Sequence, residues 1–298
     1  MSSLDYMIYD VFTEKALAGN QLGVILDASG LSGAQMQAIA REFNLSETIF
    51  FLPPDDENHT AKVRIFLPLG ELPFAGHPTI GGAIAFAGKI GLGADAKIVL
   101  EEGVGPISCV VSANEFGGKS SFAAPRLPEE LPFNYNILEV CKALNLDTGS
   151  IGFDRHEIIL TSGGVPYVTI PVKTLEALAA AKVNADNWLE LDIQKQGKVA
   201  SPYLYCREGP GVFRARMFSP WDGISEDPAT GSAAVAFAKT LQKFEYKADG
   251  MHKVMINQGV EMGRPSKIGL TLELEKGILF AVEISGSAVK VAQGRLFL

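Results

Sequence analysis

One pattern occurs twice in this chain, and it constrains the fold more than any other feature. The segment "RIFLPLGELPFAGHPTIGGAIAFA", Arg64 to Ala87, passes through Arg-x-Phe-x-Pro and a short loop. It then enters His-Pro-x-x-Gly-x-Ala and a run of small apolar residues. The segment "RMFSPWDGISEDPATGSAAVAFA", Arg216 to Ala238, repeats that order, with Asp227 in the place of His77. The two copies lie about half a chain length apart, which argues for a duplicated domain and not for a solenoid of many short units. Gly103-Val104 and Gly259-Val260 extend the match less closely. The alternative, two alanine-rich helices that merely look alike, does not explain why the strand pattern and the helix-start pattern recur together.

The flanking segments read as an α+β protein. Tyr6 to Thr13 and Leu22 to Asp27 have strand composition and are joined by a loop containing Gly19 and Asn20. Ser32 is a helix cap, and Met36, Ile39, Ala40 and Phe43 after it follow helical spacing. "TIFFL" and "AKVRIFLP" read as a strand pair, and "KIVLEE" and "PISCVVS" continue the sheet. Pro, Gly and Ser around residues 117 to 132 suggest a crossover to the second half. There "IILTSGGVPYVTIPV" gives strands, Leu175 to Ala181 a helix, "FRARMFSP" a strand and Val254 to Gly286 the closing strands.

Composition removes several function classes. The 298 residues carry a net charge of -8, so no excess of Lys and Arg is available to neutralise phosphates, and no nucleic-acid partner is expected. No apolar run approaches the roughly 20 residues that span a bilayer, so no membrane role is expected either. The N-terminal stretch lacks the basic, apolar and small-residue zones of a secretion signal. Cys109, Cys141 and Cys206 are odd in number and widely spaced, without metal-ligand or disulfide patterning. These features together predict a cytoplasmic protein.

The repeated motif points to chemistry at two helix starts. Pro78 and Pro228 suit a first helical turn, where no N–H partner is required. The open N–H groups of such a turn, with the helix dipole behind them, bind a carboxylate or a developing oxyanion. Facing helix starts would place His77 and Asp227 at opposite lips of one cleft. Asp227 alone reads equally well as an N-cap, whereas His77 is a poor cap and more in need of another role. Ser232 is either a ligand donor or a small packing residue. Glu47, in "FNLSETIFF", reads locally as a water-exposed turn residue. The alternative is a carboxyl held at a sheet edge, whose burial would fit it for proton transfer. "GHPTIGG" lacks the Lys-Ser/Thr of a phosphate-binding loop, so a nucleotide-binding enzyme finds no support.

Four stretches in order, "GNQLGVIL", "MQAIAREFNLSETIFF", "RIFLPLGELPFAGHPTIGGA" and "GISEDPATGSAAVAFA", together resemble the PhzF-like phenazine-biosynthesis family. The resemblance implies a diaminopimelate epimerase-like fold, with two pseudo-equivalent domains, each a β-sheet wrapped around a central α-helix, and the active site between them. Applied to this chain, it divides residues 1–118, completed by a C-terminal strand at 286–298, from residues 119–285. It implies a cofactor-independent isomerase, with no metal or organic cofactor. Glu47 would be the acid/base that shuttles a proton on a substrate of the trans-2,3-dihydro-3-hydroxyanthranilate kind. His77 and Asp227 would assist, and Gly76, Gly231 and Ser232 would contact the carboxylate-bearing small molecule. A homodimer is the family expectation.

The resemblance also separates this chain from relatives of the fold that racemise amino acids with two cysteines, since Ala75 and Thr230 stand at the corresponding places. A single carboxylate that accepts and returns the proton suits an allylic shift or a same-face transfer. Gln21 and Gly23 stand where the family usually has Pro and Ala, and Leu67 where Thr is frequent. A member that binds a metabolite or a protein partner without catalysis is the competing reading. The presence of Glu47, His77 and Asp227 together counts against it.

Overall fold

The computed structural model describes residues 3–196 and 199–298, and the chain in it is mostly β-strand with few helices. It divides into two compact units. The first comprises Met1–Pro125, Gly263–Lys267 and Glu283–Leu298, and the second Arg126–Met262 and Ile268–Val282.

In the first unit β1 (Ser3–Val11) pairs antiparallel with β2 (Asn20–Ile25). Helix α1 (Gly33–Phe43) then carries the chain to β3 (Glu47–Leu52), which lies parallel to β2. The start of α1 follows from its sequence. The Ser32 hydroxyl accepts from the Gln35 N–H while the Gln35 side chain accepts from the Ser32 N–H, a reciprocal capping box. Met36, Ile39 and Ala40 are buried against Phe50 and Phe66. Asn44 closes the helix in the left-handed conformation that asparagine tolerates.

Strand β4 (Ala61–Leu67) pairs antiparallel with β3 and with the short β5 (Gly70–Leu72). Then comes α2 (Gly76–Ile90), followed by β6 (Ala96–Glu102), parallel to β4. Strands β7 (Gly105–Asn114) and β8 (Gly117–Ala123) continue antiparallel. Helix α2 packs on β1, β2, β3, β6, β7 and β8, and eleven of its fifteen residues are buried. Such enclosure needs a helix with almost no side-chain girth. A Cβ on Gly81 would stand 2.6 Å from Leu22 and Val11 methyls, and one on Gly88 would stand 2.3 Å from the Asn114 carbonyl oxygen.

Strand β8 corrects one sequence expectation, because residues 117–123 are sheet and the chain leaves it only afterwards. The glycines there mark close backbone approach and not a loop. A Cβ on Gly117 would meet the Ala288 carbonyl oxygen at 2.2 Å, and one on Gly118 the Ser112 carbonyl oxygen at 2.3 Å.

The second unit begins with β9 (Glu129–Leu131) and α3 (Ile137–Leu144). Next are β10 (Ile159–Ser162) and β11 (Pro166–Pro171), with β10 antiparallel to both β9 and β11. Two short helices, α4 (Leu175–Ala180) and α5 (Ala185–Leu189), connect β11 to a parallel β12 (Ser201–Gly209). Strand β13 (Val212–Ser219) pairs antiparallel with β12 and with β14 (Ile224–Asp227). Helix α6 (Gly231–Phe244) then leads to β15 (Gly250–Gln258), parallel to β13. Strand β16 (Ser266–Glu275) follows. The last strand, β17 (Ile278–Phe297), pairs antiparallel with β1 and β8 from Glu283 onward.

Each repeated Arg-x-Phe-x-Pro stretch therefore lies on or at the end of a strand, β4 or β13, whose next hairpin partner supplies a glutamate. Arg64 donates from Nε and Nη2 to the two oxygens of Glu71 at 2.7 and 2.6 Å. Arg216 does the same to Glu226 at 2.8 Å twice. Each guanidinium also lies over the phenylalanine two residues on, Phe66 at 5.1 Å and Phe218 at 4.8 Å. Among the described residues, no helix is long and apolar enough to cross a membrane.

Candidate functional site

In the first unit the side chain of Glu47 meets that of His77. Glu47 is the first residue of β3, fixed there by parallel pairing with Leu22 of β2. His77 is the second residue of α2. Glu47 Oε2 lies 3.2 Å from His77 Nε2, and the two residues are only 8% and 3% exposed. The local reading of Glu47 as a water-exposed turn residue is thus corrected: strand pairing begins at that residue and turns its carboxyl inward.

The other ring nitrogen, His77 Nδ1, lies 3.3 Å from the amide nitrogen of Asn20, a residue with no exposed surface. Asn20 is presented by Gly19, whose φ of 67° and whose missing Cβ, which would sit 2.3 Å from the Val11 carbonyl oxygen, only glycine accommodates. Burial drives the basicity of His77 down to about 3, although a hydrogen bond to the Gln21 backbone opposes the shift. The ring is therefore neutral at neutral pH and carries one N–H. Whichever nitrogen carries the hydrogen, Nε2 of this neutral ring stands 3.2 Å from the Glu47 carboxyl. Either arrangement lets the carboxyl hold or release a proton without creating a buried imidazolium.

The start of α2 is uncapped by any side chain, its N-cap being Ala75. Gly76 is the first helical residue. The start of α6 is likewise uncapped, with Thr230 as N-cap and Gly231 and Ser232 as first and second helical residues. The helix starts thus correct the expected register. By position, Ala75 matches Thr230, Gly76 matches Gly231, and His77 matches Ser232, not Asp227. Pro78 lies inside the first turn of α2, but Pro228 lies outside α6. Asp227 ends β14, where it pairs with Met217 of β13, and the helix there begins five residues later than in the first copy of the motif.

Asp227 nonetheless reaches the helix start in the second unit. Its Oδ2 accepts from the Thr230 hydroxyl at 2.5 Å. Gln258, fully buried on β15, donates to the Asp227 carbonyl oxygen at 2.8 Å and to Thr230 Oγ1 at 2.9 Å, and its own oxygen accepts from the Thr230 N–H at 3.3 Å. The Ser232 hydroxyl shares a hydrogen bond with the Tyr167 hydroxyl at 2.7 Å. Asn20, Tyr167 and Gln258 were not singled out from the sequence. Of these only Asn20 carried a signal, the Gly-Asn step in an otherwise strand-rich segment.

Chemically, the first unit offers a buried carboxyl beside a neutral imidazole at an open helix start. The second offers a carboxylate, two hydroxyls and an amide at another. Among the described residues, no group of three or more His, Cys, Asp or Glu side chains is arranged to hold a metal ion. All three cysteines are buried, and burial raises the thiol of Cys109 to about 12.

Comparison with known proteins identifies the family. A protein of Mesorhizobium japonicum named as an uncharacterized isomerase is 47% identical over 302 residues, with complete coverage of both chains. The trans-2,3-dihydro-3-hydroxyanthranilate isomerase of Pseudomonas aeruginosa is 34% identical, with 98% of this chain and 99% of that one covered. A crystal structure of a PhzF-family phenazine biosynthesis protein from Bacillus anthracis superimposes with a TM-score of 0.88 at 26% identity, covering both chains completely. The fold alone extends further, to a probable proline racemase from Agrobacterium radiobacter at 13% identity, with a TM-score of 0.64 and coverage of 99% and 93%. The family described as phenazine biosynthesis-like protein matches residues 9–294, and with its isomerase relatives this shows that the chain belongs to the PhzC–PhzF family.

Proposed function

We propose that this protein is a cofactor-independent isomerase that shifts a proton on a small, carboxylate-bearing substrate of the dihydro-hydroxyanthranilate type. The observation that carries the reading is the buried contact between Glu47 and His77, 3.2 Å apart. Glu47 takes a proton from one carbon and returns it to another, because it is the acid placed beside a ring that stays neutral. His77 orients the carboxyl and accepts or donates the hydrogen bond that each protonation state requires. A charged imidazole in its place would hold Glu47 as a carboxylate and prevent it from returning the proton.

The N–H groups at Gly76, Gly231 and Ser232 hold the substrate carboxylate, a role suited to uncapped helix starts. Asp227 assists through Thr230. In this reading the fold is diaminopimelate epimerase-like, with two pseudo-equivalent domains that each present one uncapped helix start. The matching Arg–Glu pairs over Phe66 and Phe218 support that equivalence. We also propose that it acts in the cytoplasm as a homodimer, as the family resemblance implies.

Turnover of trans-2,3-dihydro-3-hydroxyanthranilate in D2O tests the reading. Deuterium is expected at one carbon of the product, and Glu47→Gln is expected to abolish its incorporation. Undiminished exchange in the Gln variant would remove Glu47 from the mechanism.

A further inference from the structure

A second buried carboxyl lies beneath the same helix start and has no part in the proton transfer. Glu102, the last residue of β6, is 8% exposed. Its Oε1 lies 2.7 Å from the hydroxyl of Thr79, and that hydroxyl lies 2.8 Å from the carbonyl oxygen of Ala75, the N-cap of α2. A threonine hydroxyl has one hydrogen. It cannot donate to both oxygens, and an undonated oxygen pair at that distance repels. One proton more is needed, and only the carboxyl can supply it.

We propose that Glu102 is a positioning residue for the site, held as a neutral carboxylic acid that donates to Thr79. Thr79 in turn donates to the Ala75 carbonyl and fixes the first turn of α2, which carries Gly76 and His77. The relay runs Glu102 O–H to Thr79 Oγ1, then Thr79 O–H to Ala75 O. The same carbonyl also accepts the Thr79 N–H at 3.2 Å, so the turn is held from backbone and side chain together.

The surroundings agree. Glu102 Oε2 is buried without a hydrogen-bond partner among the described residues. A carbonyl oxygen tolerates that position far better than half of a carboxylate does. Burial raises the carboxyl to about 8, with the Thr79 hydrogen bond opposing the shift. The nearest titratable group on β7 is Cys109, a buried thiol that carries no positive charge. The charged groups of the adjoining groove are engaged elsewhere: Lys62 with Asp55, Arg64 with Glu71, and Glu101 with His59.

The neutral state matters for what the helix start does. An ionised Glu102 would place a negative charge just behind N–H groups that are meant for a substrate carboxylate, and would compete with it for the helix dipole. Ionisation would also pull the Thr79 hydrogen away from Ala75 and free the turn beneath His77. The site should therefore lose substrate affinity as pH rises past about 8. This consequence rests on the proposed isomerase reading; the protonation state of Glu102 does not.

Measurements on the full chain separate the two. In the first, infrared difference spectra of wild type minus Glu102→Gln are recorded from pH 6 to pH 10. A carboxylic-acid carbonyl band at neutral pH, titrating away near pH 8, is expected; a carboxylate band at neutral pH would overturn the proposal. In the second, the pH profile of kcat/KM is compared for wild type and Glu102→Gln. The glutamine amide can donate to Thr79 and never ionises, so the variant should keep wild-type activity at neutral pH and lack the alkaline fall seen in wild type. The same fall in both would overturn the positioning role. Glu102→Leu, which removes the donor, should lower kcat/KM by up to about 100-fold, as displacement of a reacting geometry does. It should also shift the His77 ring signals in nitrogen NMR, and unmoved signals would count against the relay. If wild type turns over none of the substrates tried, the isomerase reading fails while the infrared result still decides Glu102.

Discussion

Glu47 Oε2 and His77 Nε2 stand 3.2 Å apart although their residues come from a strand and a helix thirty positions apart in sequence. The histidine in this pair is not a base at neutral pH, because burial has already pushed it down to about 3. On the proposed mechanism the carboxyl is then the group that exchanges a proton with substrate. Replacing it by the isosteric amide should therefore lower kcat by about 10²- to 10⁴-fold, the usual contribution of one positioned acid/base. Steady-state kinetics of Glu47→Gln with an unchanged thermal transition would check this.

The same burial makes a statement about stability. The folded-state pKa of His77 lies below its unfolded value of 6.5, so the unfolded chain binds more protons between 6.5 and about 3. Stability from this residue is complete above 6.5 and falls through that window by up to about 1.4 kcal/mol per pH unit. Glu102 acts in the opposite direction, since its folded pKa is raised from 4.5 to about 8 and stability falls as pH rises across that range. Urea unfolding should show a shallower acid decline in His77→Asn, and in Glu102→Gln a smaller loss of stability as pH rises from 4.5 to about 8, than in wild type.

The two arginines of the repeated motif differ in burial and should differ in cost. The Arg216 side chain is 8% exposed and also donates to the carbonyl oxygens of Leu178, Ala179 and Ala181 at the end of α4. The Arg64 side chain is 30% exposed. Arg216→Met strands the Glu226 carboxylate and should cost about 3–5 kcal/mol. Arg64→Met should cost no more than about 1 kcal/mol of ion-pair stability. Denaturant titrations of the two variants, run side by side, would give the comparison.

Gly88 measures how tightly α2 is enclosed. An added Cβ would lie 2.3 Å from a backbone carbonyl oxygen at Asn114, which cannot swing aside as a side chain could. Gly88→Ala should therefore destabilise by about 1–3 kcal/mol, despite the better helix propensity of alanine. A thermal transition at or above the wild-type temperature would contradict the close approach.

Much of this was legible in the amino-acid sequence, and the rest was hidden for physical reasons. The capped start of α1 was readable because Ser32 and Gln35 act on their own neighbours. The Arg-x-Phe-x-Pro repeat was readable as a strand, but its ion pair needed the hairpin that brings Glu71 or Glu226 back alongside. Glu47 looked like a turn residue because nothing local reveals that Leu22 will pair with it. The helix starts were misaligned because identical Pro-x-x-Gly spacing serves two backbones, one already helical at Pro78 and one still finishing a strand at Asp227. Gln258 and Tyr167 gave no signal at all, since each reaches its helix start across strands distant in sequence.

The residue before each of those helices, Ala75 or Thr230, lacks sulfur, and the three thiols of the chain are all sealed in its interior. On the proposed mechanism the working acid is an oxygen acid, which neither peroxide nor an alkylating agent consumes. On that mechanism peroxide should leave turnover intact, where a thiol pair in the same position would be silenced.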